Sequence, residues 1–481
     1  MLVLNGAATI ADVVTLADGR EQVEVAAETF AGVERAHRLA AELSTRVEVY
    51  GRTTGVGANR TTAVSPTDAD YGMRLLRSHA VDAGDPLDDR TVRAMLAVRL
   101  AQLCVPGAGL DPAILTGLQT MLNEDALPEL RQYASIGTGD LAPLAGTALT
   151  LIGERPASKP LTPMAPWGAD SALPFMSSSA LTVGRSCLAL DELTRLERAS
   201  SLIYTLSFLA LNGNPQALSV SAADAAAFPY VHTVSDRLRG SLADAGAPHA
   251  PAPARIQDPY GLRVYPVAQA SLVASLHTLG GQLERTLNTA QENPLFDIER
   301  GTVVHHGAFY QASLSLELDG TTLAMALTAP ITHSRIRMLN DPDSNGGNAF
   351  LAADAGGSSG LMMIEYVAAG AIAEIRNAAQ PASAGTQVLS RGAEEDATFA
   401  SQGVQQLERS IAAYRVLLCC ELVGAVRLLR QRELDGTFNG IVGDAMALAL
   451  SLPRNDEDRD LRGDVLLAES LLDGLGRLVN D

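Results

Sequence analysis

The sequence has almost no lysine: Lys159 is the only one among 481 residues. A pyridoxal-phosphate enzyme needs a lysine to bind its cofactor, and a P-loop needs a lysine after its glycines. Lys159 lies in the proline-rich stretch ERPASKPLTPMAPWG, which suits neither role. The sequence therefore argues against pyridoxal phosphate as a cofactor and against a P-loop nucleotide site.

Aromatic residues are also scarce, at 4% of a chain that is 47% hydrophobic. The core must therefore consist mainly of Ala, Leu and Val, and Ala and Leu favour helices. An apolar excess of this size also suits a large interface between subunits. We expect a helical homo-oligomer.

Basic charge is in deficit, with 36 Lys and Arg against 55 Asp and Glu, a net charge of −19. No basic stripe is present that would bind nucleic acid or an anionic membrane. The four cysteines lack metal-binding spacing, and neither a signal peptide nor a membrane-spanning apolar run is visible. We expect a cytoplasmic protein without a metal, a nucleic-acid partner or a membrane partner.

The organisation along the chain predicts mainly helix. The first 70 residues indicate short strands, a helix to about Leu43 and a strand-like VEVY that leads into a glycine-rich loop. Long segments with apolar stripes follow, and the one that begins FASQGVQQLERS exceeds 30 residues, a length typical of bundles. We predict a mainly α fold, with a small N-terminal α+β portion at 1–155 and a long-helix bundle at 156–481.

Two segments carry polar groups on flexible backbone. Residues 50–57, YGRTTGVG, place Tyr50 before three glycines, so the loop either presents a phenol to a ligand or is an ordinary flexible loop. Residues 135–145, SIGTGDLAPLA, contain a Gly-Thr-Gly turn before a helix that Asp140 is placed to cap. The positive end of that helix stabilises negative charge, or the segment is simply a well-capped helix.

These two segments resemble the tyrosine loop and the cofactor-forming segment of the histidine and aromatic amino acid ammonia-lyases. Further segments match the family in the same order, over about residues 25–430. The most specific is QDPYGLR at 257–263, which is similar to the family's QDPYSLR. The others are SHA followed by GDPL at 78–87, LALNG at 209–213, NPL at 293–295, SG at 359–360 and ED at 395–396.

The resemblance implies a bundle of the ammonia-lyase and fumarase type and a set of residue roles. The family closes an Ala-Ser-Gly triplet into a methylidene-imidazolone, an electrophile made from its own backbone. The matching residues here are Gly137, Thr138 and Gly139. By the same resemblance Tyr50 removes the β-proton of an amino acid substrate, and Gly57, at the end of the tyrosine loop, is one of the substrate-binding residues.

The remaining matches imply catalytic roles for Asn212 and Tyr260 and substrate-binding roles for Arg263 and Gln257. Arg263 would bind the substrate carboxylate, which suits the two-pronged geometry of a guanidinium. Asn212 and Tyr260 would orient the prosthetic group and the amine, with support from Gln257. The bland alternatives are a surface or interface ion pair for Arg263 and a buried amide with satisfied hydrogen bonds for Asn212.

Three positions speak to the substrate side chain. Ser78 and His79 match a pair that faces the distal end of the substrate in histidine-type enzymes, and Glu395 matches their imidazole-binding carboxylate. A glutamate beside Asp396 is otherwise a solvated helix start. The resemblance further implies a small-molecule substrate and a homotetramer with active sites shared between subunits.

The sequence also departs from the family pattern. Thr138 replaces the serine that gives the methylene, so its dehydration would leave an extra methyl group on the alkene. The family's GGNFHG reads GAFYQ here and puts Phe309 in the predicted pocket, while Arg52 fills a position that is usually smaller or apolar. We expect a remodelled pocket.

Three interpretations stay open on the sequence alone. The first is an ammonia-lyase or aminomutase with an imidazolone-like group at Thr138. The second is a homologue without that group, which uses Tyr50 as an acid or base in another elimination, isomerisation or cyclisation. The third is a non-catalytic binding or scaffold relative, although such a protein has no reason to keep the polar residues above.

Overall fold

The computed structural model describes residues 1–65, 68–246 and 255–479. The described chain is mainly helical, as predicted. In chain order the helices are α1 (Ile10–Ala17), α2 (Ala27–Ser44), α3 (Tyr71–His79), α4 (Asp89–Leu103), α5 (Ala113–Asn123), α6 (Leu141–Leu151), α7 (Ala172–Met176), α8 (Ala180–Ala210), α9 (Val220–Ala225), α10 (Pro229–Asp244), α11 (Tyr260–Arg263), α12 (Tyr265–Leu287), α13 (Ala312–Asn340), α14 (Pro342–Asn345), α15 (Met362–Ala378), α16 (Ala400–Gln431), α17 (Gly440–Ala449) and α18 (Arg462–Leu478).

The strands are short and form three two-stranded sheets. They are β1 (Leu2–Leu4), β2 (Val23–Val25), β3 (Ala83–Pro86), β4 (Arg131–Tyr133), β5 (Leu295–Asp297) and β6 (Thr302–Val304). The β1–β2 pair is parallel, whereas β3–β4 and β5–β6 are antiparallel. The predicted strand at VEVY is wrong. Val49 is fully buried and its N–H bonds the Thr53 hydroxyl at 2.8 Å, so local turn contacts replace a strand ladder.

The chain divides into two compact units. The first unit comprises Met1–Asp191, Leu279–Leu318 and Pro381–Gln405, and the second comprises Glu192–Thr278, Asp319–Gln380 and Gln406–Asp481. The predicted boundary between 155 and 156 falls inside the first of these units. All the sheets also belong to that unit.

The first unit has α4 at its centre, and every residue of α4 from Val92 to Leu103 is buried. Asp88 caps this helix by accepting the Thr91 N–H at 2.8 Å. The buried polar side chains of α4 are paired with other groups of the protein. Arg99, fully buried, donates to Glu292 at 2.8 Å, which offsets the cost of removing a charge from water.

The second unit is built from long helices around a buried polar cluster. Arg335 and Glu421 are both fully buried and form a bidentate ion pair, with N–O distances of 2.5 and 2.8 Å. The Arg335 guanidinium lies 4.6 Å from the centre of the Tyr265 ring and 5.1 Å from that of Tyr204. None of the described helices is long and apolar enough to span a bilayer.

Candidate active site

The first unit contains a cavity of about 860 Å³. The tyrosine loop contributes Tyr50 and Gly57, and the Gly-Thr-Gly turn contributes Thr138 and Gly139. Every residue described as lining this cavity belongs to the first unit. The other lining groups that matter below are Glu48, Arg60, Asn293, His305, Phe309, Tyr310, Glu394, Glu395 and Asp396.

Tyr50 is held at both ends by the cavity wall. The Gly57 N–H donates to its hydroxyl at 2.7 Å, and its own N–H donates to His305 Nε2 at 3.1 Å. Gly57 has φ +55, and a Cβ there would lie 2.6 Å from the Ser390 hydroxyl. The loop therefore needs glycine at this position to bring a backbone N–H to the phenol.

The electrostatics of Tyr50 oppose ionisation on balance. Burial raises the pKa of Tyr50, and the nearby Glu394 carboxylate raises it further, while the Gly57 N–H and Arg60 lower it. The phenol is therefore neutral near pH 7. Because its pKa is raised, the Tyr50 phenolate is a stronger base than an ordinary phenolate once it forms.

The Gly-Thr-Gly turn is bound along its backbone by the segment that precedes and begins α16. The Phe399 N–H donates to the Ile136 carbonyl at 2.9 Å, and the Thr398 hydroxyl donates to the Gly137 carbonyl at 3.0 Å. The Ser401 hydroxyl donates to the Ser135 carbonyl at 3.0 Å. Three successive carbonyl groups are thus fixed, which aims Thr138 at the cavity.

Asp140 does not cap α6 with its side chain, contrary to the prediction. Its carboxylate accepts the Thr182 N–H at 2.8 Å and the Thr182 hydroxyl at 3.1 Å, in the first turn of α8. Burial raises the pKa of Asp140, and these hydrogen bonds lower it. Asp140 therefore ties the Gly-Thr-Gly turn to α8, while the α6 N-terminus reaches the cavity through Leu141.

The residues at the turn do not reproduce the family's cofactor-forming triplet. A Cβ atom at Gly137, where the family has alanine, would lie 2.3 Å from Ala400 N. Gly137 also has φ +92, which L side chains rarely adopt. With Thr138 in place of serine, dehydration would give an ethylidene and not a methylidene. An imidazolone formed at this turn would therefore differ from the family's group by that methyl, and no step below depends on it.

The predicted substrate-side residues divide into two sets. Glu395 and Phe309 line the cavity with Tyr50. Ser78 and His79 end α3 and are not among the described lining residues. The Ser78 hydroxyl and the His79 ring both bond the Leu75 carbonyl, at 2.9 Å each, so these side chains are engaged with their own helix.

Arg52 does not remodel the cavity as expected, because it is not among the described lining residues. It is 8% exposed and donates to the carbonyls of Gly109 and Asp170. Its guanidinium lies 5.0 Å from the centre of the Phe296 ring. Burial lowers the pKa of Arg52 to about 10. Its role is to bind three parts of the first unit together.

The predicted residues Asn212, Gln257, Tyr260 and Arg263 lie in the second unit. Gln257 and Tyr260 are exposed, while Asn212 is half-buried with φ +49. The Arg263 guanidinium lies 4.7 Å from the centre of the Tyr260 ring. Arg263 Nε is buried and has no hydrogen-bond partner among the described residues, so this guanidinium retains binding capacity.

A polar network that the sequence did not reveal joins the loop of Asn212 to the segment that carries Gln257, Tyr260 and Arg263. The Asp258 carboxylate accepts the Asn214 N–H at 2.5 Å, and Arg255 donates to Asp258 at 2.9 Å and to the Leu211 carbonyl at 3.1 Å. The network holds the loop of Asn212 beside the segment that carries Arg263. The motif QDPYGLR predicted binding residues in this segment, but it did not predict that Asp258 would hold the segment against the loop of Asn212.

His305, Glu394 and Glu48 were also missed as cavity residues. No motif marks His305, which directly follows β6, and Glu48 precedes the recognised loop by two residues. A tyrosine loop drawn slightly wider would have included Glu48. Among the described residues, no group of three or more His, Cys, Asp or Glu side chains is arranged to hold a metal ion.

Comparisons of the sequence with known proteins cover most of the chain. A family model described as aromatic amino acid lyase matches residues 8–445. The histidine ammonia-lyase of Geobacillus thermodenitrificans strain NG80-2 is 29% identical over 454 residues, which cover 90% of this chain and 90% of the relative.

Solved structures match over almost all of the chain. An ergothionase from Treponema denticola, described as an ergothioneine-degrading enzyme, has a TM-score of 0.92 at 23% identity and covers 100% of both chains. A tyrosine aminomutase from Streptomyces globisporus has a TM-score of 0.91 at 21% identity, with 99% of this chain and 97% of the other covered. At these identities the likeness establishes the shared fold.

Proposed function

The chain belongs to the aromatic amino acid lyase family and is a carbon–nitrogen lyase, and from this premise we propose that it removes the amine of a histidine-like or aromatic α-amino acid. An aminomutase variant would return the amine to the β-carbon. The observation that carries the proposal is the cavity that Tyr50, Thr138 and Glu395 all line. The acidic Glu395 suits an imidazole side chain.

Tyr50 is the proposed base. In its ionised form the phenolate takes the β-proton, the C–H electrons form the Cα=Cβ bond, and the C–N bond breaks as the amine leaves. The hydrogen bonds from Gly57 and to His305 hold Tyr50 at both ends, which supports a fixed position for this proton transfer. The product is an α,β-unsaturated acid.

Arg263 is the proposed carboxylate ligand, with Asn212, Tyr260 and Gln257 beside it. Its unpartnered Nε and its position against the Tyr260 ring support this role, because a guanidinium binds a carboxylate in two-pronged fashion. We also propose a homotetramer with shared active sites. The exposed apolar side chains of Met363, Tyr366 and Val367 on α15 support an interface there.

An imidazolone-like ring at Thr138 is the finer part of this proposal. When formed, such a group supplies an electrophile for the amine. Intact-mass spectrometry tests it directly. A closed ring makes the chain two water molecules lighter than its sequence, whereas the sequence mass means that no ring forms; Thr138→Val, which lacks the hydroxyl, is the matched control.

A second candidate is elimination of a quaternary ammonium group, and the chemistry of Tyr50 favours it if the ring is absent. The α-ammonium group of an amino acid is more acidic than a phenol of raised pKa, so the phenolate would take the nitrogen-bound proton first. A trimethylammonium group has no such proton and leaves as neutral trimethylamine. The four lining carboxylates and the rings of Tyr50, Phe309 and Tyr310 suit a permanent cation.

One assay distinguishes the two candidates. The protein is incubated with L-histidine, L-phenylalanine, L-tyrosine and the trimethylammonium betaine of histidine, and free ammonia and trimethylamine are measured. We expect amine release together with the absorbance of an unsaturated acid from at least one of them. Histamine, which lacks the carboxylate, is the matched control and should not react. Release from histamine at an equal rate, or from none of the four, would contradict the proposal.

A further inference from the structure

His305 occupies a position in the cavity wall that the proposed reaction does not explain. It directly follows β6, and its Nε2 atom accepts the backbone N–H of Tyr50 at 3.1 Å. An imidazole nitrogen accepts a hydrogen bond only when it carries no proton. The contact therefore requires a neutral His305 with its proton on Nδ1.

The adjacent His306 is fixed in the opposite way. Its Nδ1 accepts the Ala308 N–H at 3.0 Å, and its Nε2 faces the Glu292 carbonyl at 2.9 Å and must therefore donate. Two neighbouring imidazoles thus carry their protons on different nitrogens. The His305 ring bonds the tyrosine loop, whereas the His306 ring bonds the backbone of Glu292 and Ala308, so the pair provides an internal comparison.

The hairpin that carries His305 is held rigidly against the tyrosine loop. Phe296 in β5 is 1% exposed and packs in a buried cluster with Ala40 and Val49, the residue before Tyr50. The Phe296 N–H donates to the Gly107 carbonyl at 2.9 Å, and Leu295 pairs with Val304 across the hairpin. The segments that carry His305 and Tyr50 therefore pack in the same buried cluster, which fixes the distance between these two residues.

We propose that His305 is the positioning residue for Tyr50: the Nε2 atom of its ring anchors the backbone of the tyrosine loop. The proposal rests on the proposed role of Tyr50 as base.

The test is hydrogen–deuterium exchange of the full-length protein, read on peptides that contain the amide of residue 50. In His305→Ala this amide has lost its acceptor, and we expect it to exchange about two- to tenfold faster than in the wild type. His305→Gln offers an amide oxygen near the position of Nε2, so we expect this variant to restore protection.

Several results would overturn the anchor. They are equal exchange in His305→Ala and the wild type, no restoration by His305→Gln, or the same acceleration in the control His306→Gln. Failure of the proposed base is separate, because Tyr50→Phe keeps the backbone N–H. If Tyr50→Phe retains full turnover while the exchange results hold, the base role fails and the anchor stands.

Discussion

Tyr50→Phe should lower the turnover number for amine release by about 10²- to 10⁴-fold, the usual contribution of a positioned general base. The variant keeps the ring and its packing but loses the hydroxyl that accepts the Gly57 N–H. Initial rates on whichever substrate the wild type turns over would measure the loss. Tyr133→Phe removes an exposed hydroxyl far along the chain from the loop and serves as the control.

The role of Tyr50 as base also predicts the direction in which kcat/KM changes with pH. Because burial and Glu394 raise the pKa of Tyr50, the phenolate is a minor species at neutral pH, and its fraction rises as the pH increases towards that raised pKa. We therefore expect kcat/KM to increase with pH across the neutral and mildly alkaline range. A Tyr50→Phe enzyme with the turnover number and pH profile of the wild type would remove the proposed base from the mechanism.

Arg335→Met should produce the largest loss of stability. It leaves the fully buried Glu421 without its partner, and breaking a buried ion pair in this way costs about 3–5 kcal/mol. Arg335 also donates to the Gly261 carbonyl at 3.1 Å, so the segment of Tyr260 and Arg263 loses a support. Denaturant unfolding followed by circular dichroism, together with the yield of folded protein, measures the effect.

Two further variants make this second prediction specific. Arg335→Met combined with Glu421→Met replaces the pair by apolar side chains and should recover much of the loss, because no isolated charge remains buried. Arg38→Met breaks an exposed ion pair with Glu34 and should leave the unfolding transition unchanged. If Arg335→Met unfolds like Arg38→Met, the buried cluster does not stabilise the second unit.

The fold could be predicted because helix formation depends on composition and local periodicity. Ala and Leu dominate the chain, and the segment predicted to exceed 30 residues is α16, Ala400–Gln431. The failure at VEVY has a tertiary cause. Val49 is buried against Phe296, nearly 250 residues away in sequence, and no local pattern marks that contact.

The candidate site could be predicted in part. Recognisable loops identified Tyr50 and Thr138, and the structure places both on one cavity. The hydrogen-bond partner of Asp140 could not be predicted. An aspartate before a helix predicts a local cap whether or not Thr182, which is distant in sequence, binds its carboxylate. His305 and Arg52 were missed or misread for the same reason: their partners are distant in sequence.

The tight backbone approach at Gly137 constrains how this family's chemistry can diverge. Introducing alanine there forces the main chain at Ala400 to move, whereas exchanging the hydroxyl residue at Thr138 does not add bulk to that contact. The turn differs from Ala-Ser-Gly at Gly137 and Thr138, and only the change at Gly137 requires the backbone to move. A serine at this turn can therefore arise by the single substitution Thr138→Ser, provided that Gly137 stays glycine.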